Sequence, residues 1–446
     1  MKASARSVLA RALAERRVVI VCGAGGVGKT TTAAALAVHA AVQGRRVLVC
    51  TIDPSRRLAT SLGLQKLPEK PRRLDLSQLD GGLGAQPQRA QAERFLGRER
   101  AIHSRASDSM DEKREAGAPG RSGVSPQGPS AGIHFRREPP NAPSGEAWAM
   151  TLDTKRTFDA LVERHAGSEA ARRRILDNRF YQKVSAALAG SHEFMAMEKL
   201  LELSADERFD LVVLDTPPTR HALDFLEAPD RMMGFLDASV LRWFLKPYFA
   251  AGRLTLKVAT RAGRVALGLV DRYLGLRFLQ DLSEFFLAFE SMYAGFKERA
   301  AAVHVLLRGQ SAGFVLVASP ARVAVDEALY FYERLREAGM PFVATVVNRV
   351  HPDPAEPAAG RPRQRKAAVA HVDTDLARAL LQAYDDLHRL ARAERRVITR
   401  LEVDTGEPLL LVPELESDVH DLRGLAHVAE LMLGEETEPA KKRRAR

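Results

Sequence analysis

The sequence predicts an α/β chain: a mostly parallel, doubly wound sheet with helices on both faces and an inserted helical subdomain. Three observations carry that expectation. The apolar run Val18 to Cys22 leads into a Gly-rich loop, an Ala-rich stretch and a second apolar run, Arg46 to Ile52 (RVLVCTI). That is the order of a β–loop–α–β unit, the opening of a parallel sheet. Later runs at Leu211 to Leu214, Phe314 to Ala318, Phe342 to Val347 and Leu409 to Val412 are apolar without alternation, as parallel strands covered on both faces should be. Stretches of helical pattern lie between them.

Taken in order, Met1 to Arg17 is Arg-rich and mildly amphipathic, with neither a continuous apolar segment nor a cleavage site; it predicts a short helix leading into the first strand. Thr31 to Gly44 (TTAAALAVHAAVQG) is a helix with Gly44 as its C-terminal stop. Residues 1–80 therefore form the first part of an α/β domain. Residues 81–146 break the pattern, with Pro, Gly, Ser, Arg and Gln dominating and no apolar periodicity. Such a segment buries too little surface to offset its ordering entropy, so it reads as a disordered insertion. Residues 147–229 continue the domain, and residues 309–435 complete it. Between them, residues 230–308 read as a helical subdomain. Leu279, Leu282, Phe286, Phe289 and Tyr293 fall at three- and four-residue spacings there, and Phe285, Met292 and Phe296 widen the stripe. That stripe is either a core face or an adaptable groove for an apolar client. Residues 436–446 are a basic tail.

Composition bounds the function. The 446 residues are 46% hydrophobic and 28% charged, ordinary for a water-soluble protein with a full core. A net charge of +11 suits acidic partners such as nucleic acid, anionic lipid or nucleotide, or reflects only an Arg-rich background. Two cysteines, Cys22 and Cys50, exclude a disulfide framework and a Cys-based metal site. No apolar run approaches the ~18–20 residues of a membrane helix. The expected location is cytoplasmic, with peripheral membrane contact allowed.

The chemistry concentrates in four places. Gly23-Ala24-Gly25-Gly26-Val27-Gly28-Lys29-Thr30 matches G-x-x-x-x-G-K-[ST] between a strand and a helix, the context a P-loop NTPase requires. Gly23, Gly25, Gly26, Val27 and Gly28 let backbone N–H groups face phosphate oxygens, helped by the following helix dipole. Lys29 reaches the β- and γ-phosphates of ATP, Thr30 ligates Mg²⁺, and Thr31 touches the α-phosphate. Asp215 ends the apolar run of FDLVVLDTPPTRH, where a carboxylate holds the Mg²⁺ water shell or simply caps a turn. Asp53 ends the strand after the P-loop helix, placed either to act on the attacking water or to cap a helix beginning at Pro54. Asn348, at the end of a late strand, offers an amide that pairs with adenine or forms a turn.

Four segments together resemble the ArsA and tail-anchored-protein-targeting ATPase family, anion-transporting ATPase-like members of the deviant Walker A group that includes MinD and ParA. They are GAGGVGKTT, TIDPSRRLATSLG, the pair AGSHEFMAME and VLDTPPTRHALDFL, and VVNRV. The resemblance implies Mg²⁺-dependent ATP hydrolysis, with Lys29 and Asp53 catalytic and Asp53 in the first switch. Asp215 to His221 would be the second switch. Asn348 would read adenine, and the loop from Pro413 to Leu415 would close over the base. The helices after Leu226 would bind a hydrophobic client or membrane partner. A positioning ATPase gated onto a polyanion such as nucleic acid, and a regulatory subunit with weak hydrolysis, are the alternatives. The sequence departs from the family pattern at Ala24, where a lysine crosses a dimer interface in deviant Walker members, and at Arg220, which replaces a glycine. The single P-loop implies that two nucleotide sites require two chains, and Ala24 alone suggests as partner a paralogue carrying that lysine, with a homodimer as the alternative.

Overall fold

The computed structural model describes residues 4–52, 57–79, 145–184, 191–217, 281, 285, 292–355 and 374–434. Asp53, most of the predicted insertion, Pro218 to His221, most of the predicted helical subdomain and the basic tail lie outside the described residues.

The chain opens with helix α1 (Ala5–Glu15), whose first turn is capped by the Ser4 hydroxyl accepting from the Ser7 N–H. Strand β1 (Val18–Gly23), helix α2 (Lys29–Val42) and strand β2 (Arg46–Thr51) form the expected unit. A short helix α3 (Arg57–Ser61) and a two-residue strand β3 (Arg72–Arg73) precede β4 (Glu146–Thr151). Four helices follow: α4 (Thr154–His165), α5 (Glu169–Leu176), α6 (Arg179–Val184) and α7 (Ser191–Ser204). Then come β5 (Leu211–Asp215), α8 (Tyr293–Arg308), β6 (Ala312–Ala318) and α9 (Arg322–Glu337). The fold closes with β7 (Phe342–Val350), α10 (Thr374–Thr405), β8 (Leu409–Pro413) and α11 (Leu422–Leu433).

The strands form one sheet in the order β3-β4-β2-β5-β1-β6-β7-β8. Every neighbouring pair is parallel except β3 with β4. Alternate residues divide the core between the faces. Val19 and Val21 of β1 and Val47 and Val49 of β2 pack with α1, α2 and α11. Val18, Ile20 and Cys22 pack with Leu48, Cys50 and helices α7, α8 and α9 on the other side. Helices on both faces exclude water from the strands, which is why the strands read as unbroken apolar runs.

Among the boundaries that differ from the sequence reading, three have a clear physical cause or consequence. Strand β4 begins at Glu146, the residue at which the insertion was expected to end. Glu146, Trp148 and Thr151 are half-buried while Ala147, Ala149 and Met150 are buried, because β4 lies near the sheet edge, so its apolar run is only the four residues AWAM. Helix α2 begins at Lys29 rather than Thr31, because the loop's last residue, Gly28, is the N-cap. Strand β7 runs past Val347 to Val350.

A third core lies outside the sheet. Phe158, Leu161 and Val162 of α4, Ile175 and Tyr181 meet Phe194 and Met195 of α7. Phe285, Met292 and Phe296 are buried in the same cluster, so these three members of the predicted apolar stripe are core residues. The Phe194 and Phe296 rings stack at 5.8 Å between centroids. Leu279, Leu282, Phe286 and Phe289 lie outside the described residues.

At the amino end of the strands, arginines stitch the connections together. Arg17 donates to the carbonyls of Ser204, Asp206 and Phe209. Arg45 donates to those of Leu13, Arg16 and Asp210. Among the described residues, no helix is long and apolar enough to cross a membrane.

Candidate functional site

The site is built at the carboxyl edge of the sheet, around its central strand. Strand β1 ends at Gly23 and the chain returns into α2 at Lys29. Three glycines of this bend, Gly23, Gly26 and Gly28, have positive φ, and at two of them a neighbouring atom also occupies the space of a side chain. Gly23 has φ +148 and lies against β6, where a Cβ would collide with the Val317 carbonyl. Gly28 has φ +96, and a Cβ there would collide with Asn348 Nδ2. A side chain at either position would force neighbouring atoms apart as well as strain the backbone.

Lys29 is the first residue of α2 and is only 6% exposed. Its ammonium donates to the carbonyls of Gly23 at 2.9 Å and Ala24 at 2.6 Å. These bonds fold the side chain back onto the start of the loop. Thr30 Oγ1 donates to Asp215 Oδ2 at 2.9 Å. Asp215 is the last residue of β5, only 1% exposed, and faces Val21 of β1 and Thr51 of β2 in the parallel register. Thr51 Oγ1 donates to the same carboxylate oxygen at 2.9 Å. Thr216 Oγ1 donates to the Val21 carbonyl at 2.9 Å, tying the start of the next loop to β1.

A second wall comes from β7. Its pairing with β8 shifts register between Val347 and Val350, a bulge that contains Asn348 and Arg349. Asn348 Nδ2 donates to the Val27 carbonyl at 3.0 Å, so its amide braces the loop from the side. Arg349 has φ +63. Its Nε lies 3.7 Å from Glu414 Oε2, and the Glu414 N–H donates to the Val350 carbonyl at 3.1 Å. Pro413 ends β8, and Leu415 packs against the core that holds Val27.

The fold thus brings together Gly23, Gly25, Gly26, Val27, Gly28, Lys29, Thr30 and Thr31 on one bend, with Asp215 beneath it and Asn348 beside it. Pro413 and Leu415 stand farther along the same edge, linked through Glu414. Thr51, Thr216, Arg349 and Glu414 belong to the constellation too; each lies inside a segment singled out in the sequence, but none was given a role of its own. Thr51 was legible in principle, because a parallel register puts the last residues of β2 and β5 side by side.

The set suits a triphosphate with Mg²⁺. A hydroxyl and a buried carboxylate within hydrogen-bond reach are the hard oxygen donors that Mg²⁺ prefers. The bend and the α2 amino terminus suit phosphate. The cysteines are placed for neither redox nor metal chemistry. Cys22 and Cys50 are fully buried on strands separated by β5. Burial pushes the Cys50 thiol up to about 12 and raises that of Cys22 despite the opposing charge of Lys29.

Comparison with known proteins agrees with this geometry. A family model described as anion-transporting ATPase matches residues 16–117 and 147–388. The ATPase ARSA1 of Chlamydomonas reinhardtii is 27% identical over 341 residues, 75% of this chain and 35% of that protein. The chain thus spans about a third of the length of that relative. The putative arsenical pump-driving ATPase 1 of Aquifex aeolicus is 22% identical over 436 residues, 94% of this chain and 79% of that one. The ATPase GET3C of Arabidopsis thaliana is 24% identical over 345 residues, 76% of this chain and 68% of its own length. With a family match across most of its length and the loop, carboxylate and amide assembled on one sheet edge, the chain belongs to the anion-transporting ATPase family.

Proposed function

We propose that this protein binds Mg²⁺-ATP at the Gly23–Thr30 bend and hydrolyses it, using the cycle to change the shape presented to a partner. The observation that carries this reading is the Thr30 hydroxyl resting on the buried Asp215 carboxylate beside Lys29. The loop amides and Lys29 bind and orient the phosphates. Thr30 and Asp215 would hold the cation, which would neutralise charge developing on the transferred phosphoryl group. On binding, the Lys29 ammonium exchanges the carbonyls of Gly23 and Ala24 for phosphate oxygens. Asn348 retains one amide hydrogen and its carbonyl oxygen for the adenine edge. Pro413 and Leu415 cover the base, and Asp53 orients the attacking water.

Calorimetry at millimolar Mg²⁺ tests the reading. The wild type should bind ATP and ADP, Lys29→Ala should not, and Asp53→Asn should bind but turn over slowly. Absence of binding by the wild type would end it, and normal turnover by Asp53→Asn would remove that residue's role.

The partner in this reading is a hydrophobic protein client or a membrane partner, supported by the second-switch sequence that starts at Asp215. Binding that weakens steeply as salt rises would instead mark a polyanion. Ala24 supports a dimer with a paralogue that carries the missing lysine. Full turnover by the purified chain as a homodimer would dispose of the paralogue. Thiolate-bound metalloid export is disfavoured in this reading, since both cysteines are buried in strands.

A further inference from the structure

Strand β7 does not end as an ordinary strand. In an unbroken pleat, Val347 and Val350 would point to opposite faces. Here both lie in one cluster with Ala318, Ile398, Leu401 and Leu409. The two residues between them absorb the extra step. Asn348 turns to the P-loop side, where its amide meets the Val27 carbonyl and fills the space above Gly28. Arg349 adopts φ +63, the one left-handed non-glycine backbone among the described residues. Side chains rarely occupy that region, and where they do the surroundings hold them there. The holding contacts are visible: Val350 pairs with Pro413, and its carbonyl accepts from the Glu414 N–H.

We propose that the left-handed backbone at Arg349 is the positioning element for base recognition, aiming Asn348 at both the P-loop and the adenine edge. This rests on the nucleotide reading above and deepens it. The conformation at 349 is what matters, and the guanidinium is secondary. Arg349 and Glu414 are both largely exposed and 3.7 Å apart, and such pairs contribute little. An extended residue 349 would swing Val350 out of its cluster and release the strand end that carries Asn348.

The test separates conformation from charge. Arg349→Gly and Arg349→Asn remove the charge but favour a left-handed backbone. Arg349→Val removes the charge and resists that backbone. Titration with ATP and with GTP at millimolar Mg²⁺ gives affinity and base preference, and a thermal melt reports folding. The glycine and asparagine variants should keep ATP affinity and preference within about twofold. The valine variant should lose about tenfold in ATP affinity, one discriminating hydrogen bond's equivalent, and most of its preference over GTP. If Arg349→Val does not fold, Arg349→Ala takes its place, with a smaller loss in the same direction. Equal losses in the glycine and valine variants would overturn the proposal in favour of the charge, and an unchanged valine variant would overturn it outright. Wild-type protein that binds neither nucleotide would bring down the nucleotide reading and this inference with it.

Discussion

Gly28 and Asn348 should be energetically coupled, and the structure says by how much. A Cβ added at Gly28 meets two costs. The first is local: at φ +96 an alanine is strained by about 1–2 kcal/mol. The second depends on Asn348, whose Nδ2 stands where that Cβ must go. The asparagine must move, giving up its bond to the Val27 carbonyl, worth about 1 kcal/mol. Asn348→Ala loses that bond alone but clears the space, because the Asn348 Cβ lies 4.0 Å from the added carbon, an ordinary contact. Gly28→Ala should therefore cost about 2–3 kcal/mol in the native background and about 1–2 in the Asn348→Ala background, a coupling of about 1 kcal/mol. Urea unfolding of the four proteins in the cycle measures it. Equal costs of Gly28→Ala in both backgrounds would show that Asn348 does not occupy the space above the loop, and the bracing argument would fall.

Other outcomes follow from particular side chains. Glu198, 2% exposed, pairs with Arg299 across α7 and α8; Glu198→Ala leaves the guanidinium without its carboxylate and should cost about 3 kcal/mol or more by urea unfolding. Asp215→Ala should leave ATP affinity in EDTA nearly unchanged but abolish its strengthening by Mg²⁺, read by calorimetry; an undiminished Mg²⁺ effect would remove Asp215 from the cation site. Burial lowers the His39 imidazole from 6.5 to about 4. Between those values the unfolded chain binds a proton that the folded one does not, so stability falls as pH drops through that window. His39→Gln should flatten the unfolding midpoint against pH there, and an unchanged slope would refute the assignment.

The sheet was largely legible because most of its strands are covered on both faces and announce themselves as apolar runs. The exceptions follow the same rule. Strand β4, with a two-residue antiparallel neighbour outside it, keeps Trp148 half-buried, and its first residue, Glu146, read as the end of a polar segment. The P-loop was legible because one short bend must satisfy glycine geometry, a lysine and a hydroxyl at fixed spacing. Asp215 was legible from its place at a strand end. Thr216 and Glu414 were not given roles of their own, and Thr51 was legible only through the register of β2 with β5, since a threonine or glutamate at the end of a strand has many uses and only three-dimensional register selects one. Arg349 was invisible for a different reason: nothing in an arginine advertises a left-handed backbone. Phe285, Met292 and Phe296 show the limit of periodicity, which identifies an apolar face without saying what covers it.

Helix α7 serves two interiors at once. Phe194 and Met195 belong to the outer helical cluster, while Ala196, Met197, Leu200 and Leu203 belong to the cluster beneath the sheet. It is a party wall between two rooms. Neither room can be rearranged without leaning on it, because close-packed interiors pass displacement onward rather than absorbing it. A tilt begun among the outer aromatics therefore arrives directly under the strands that carry Asp215 and the glycine bend.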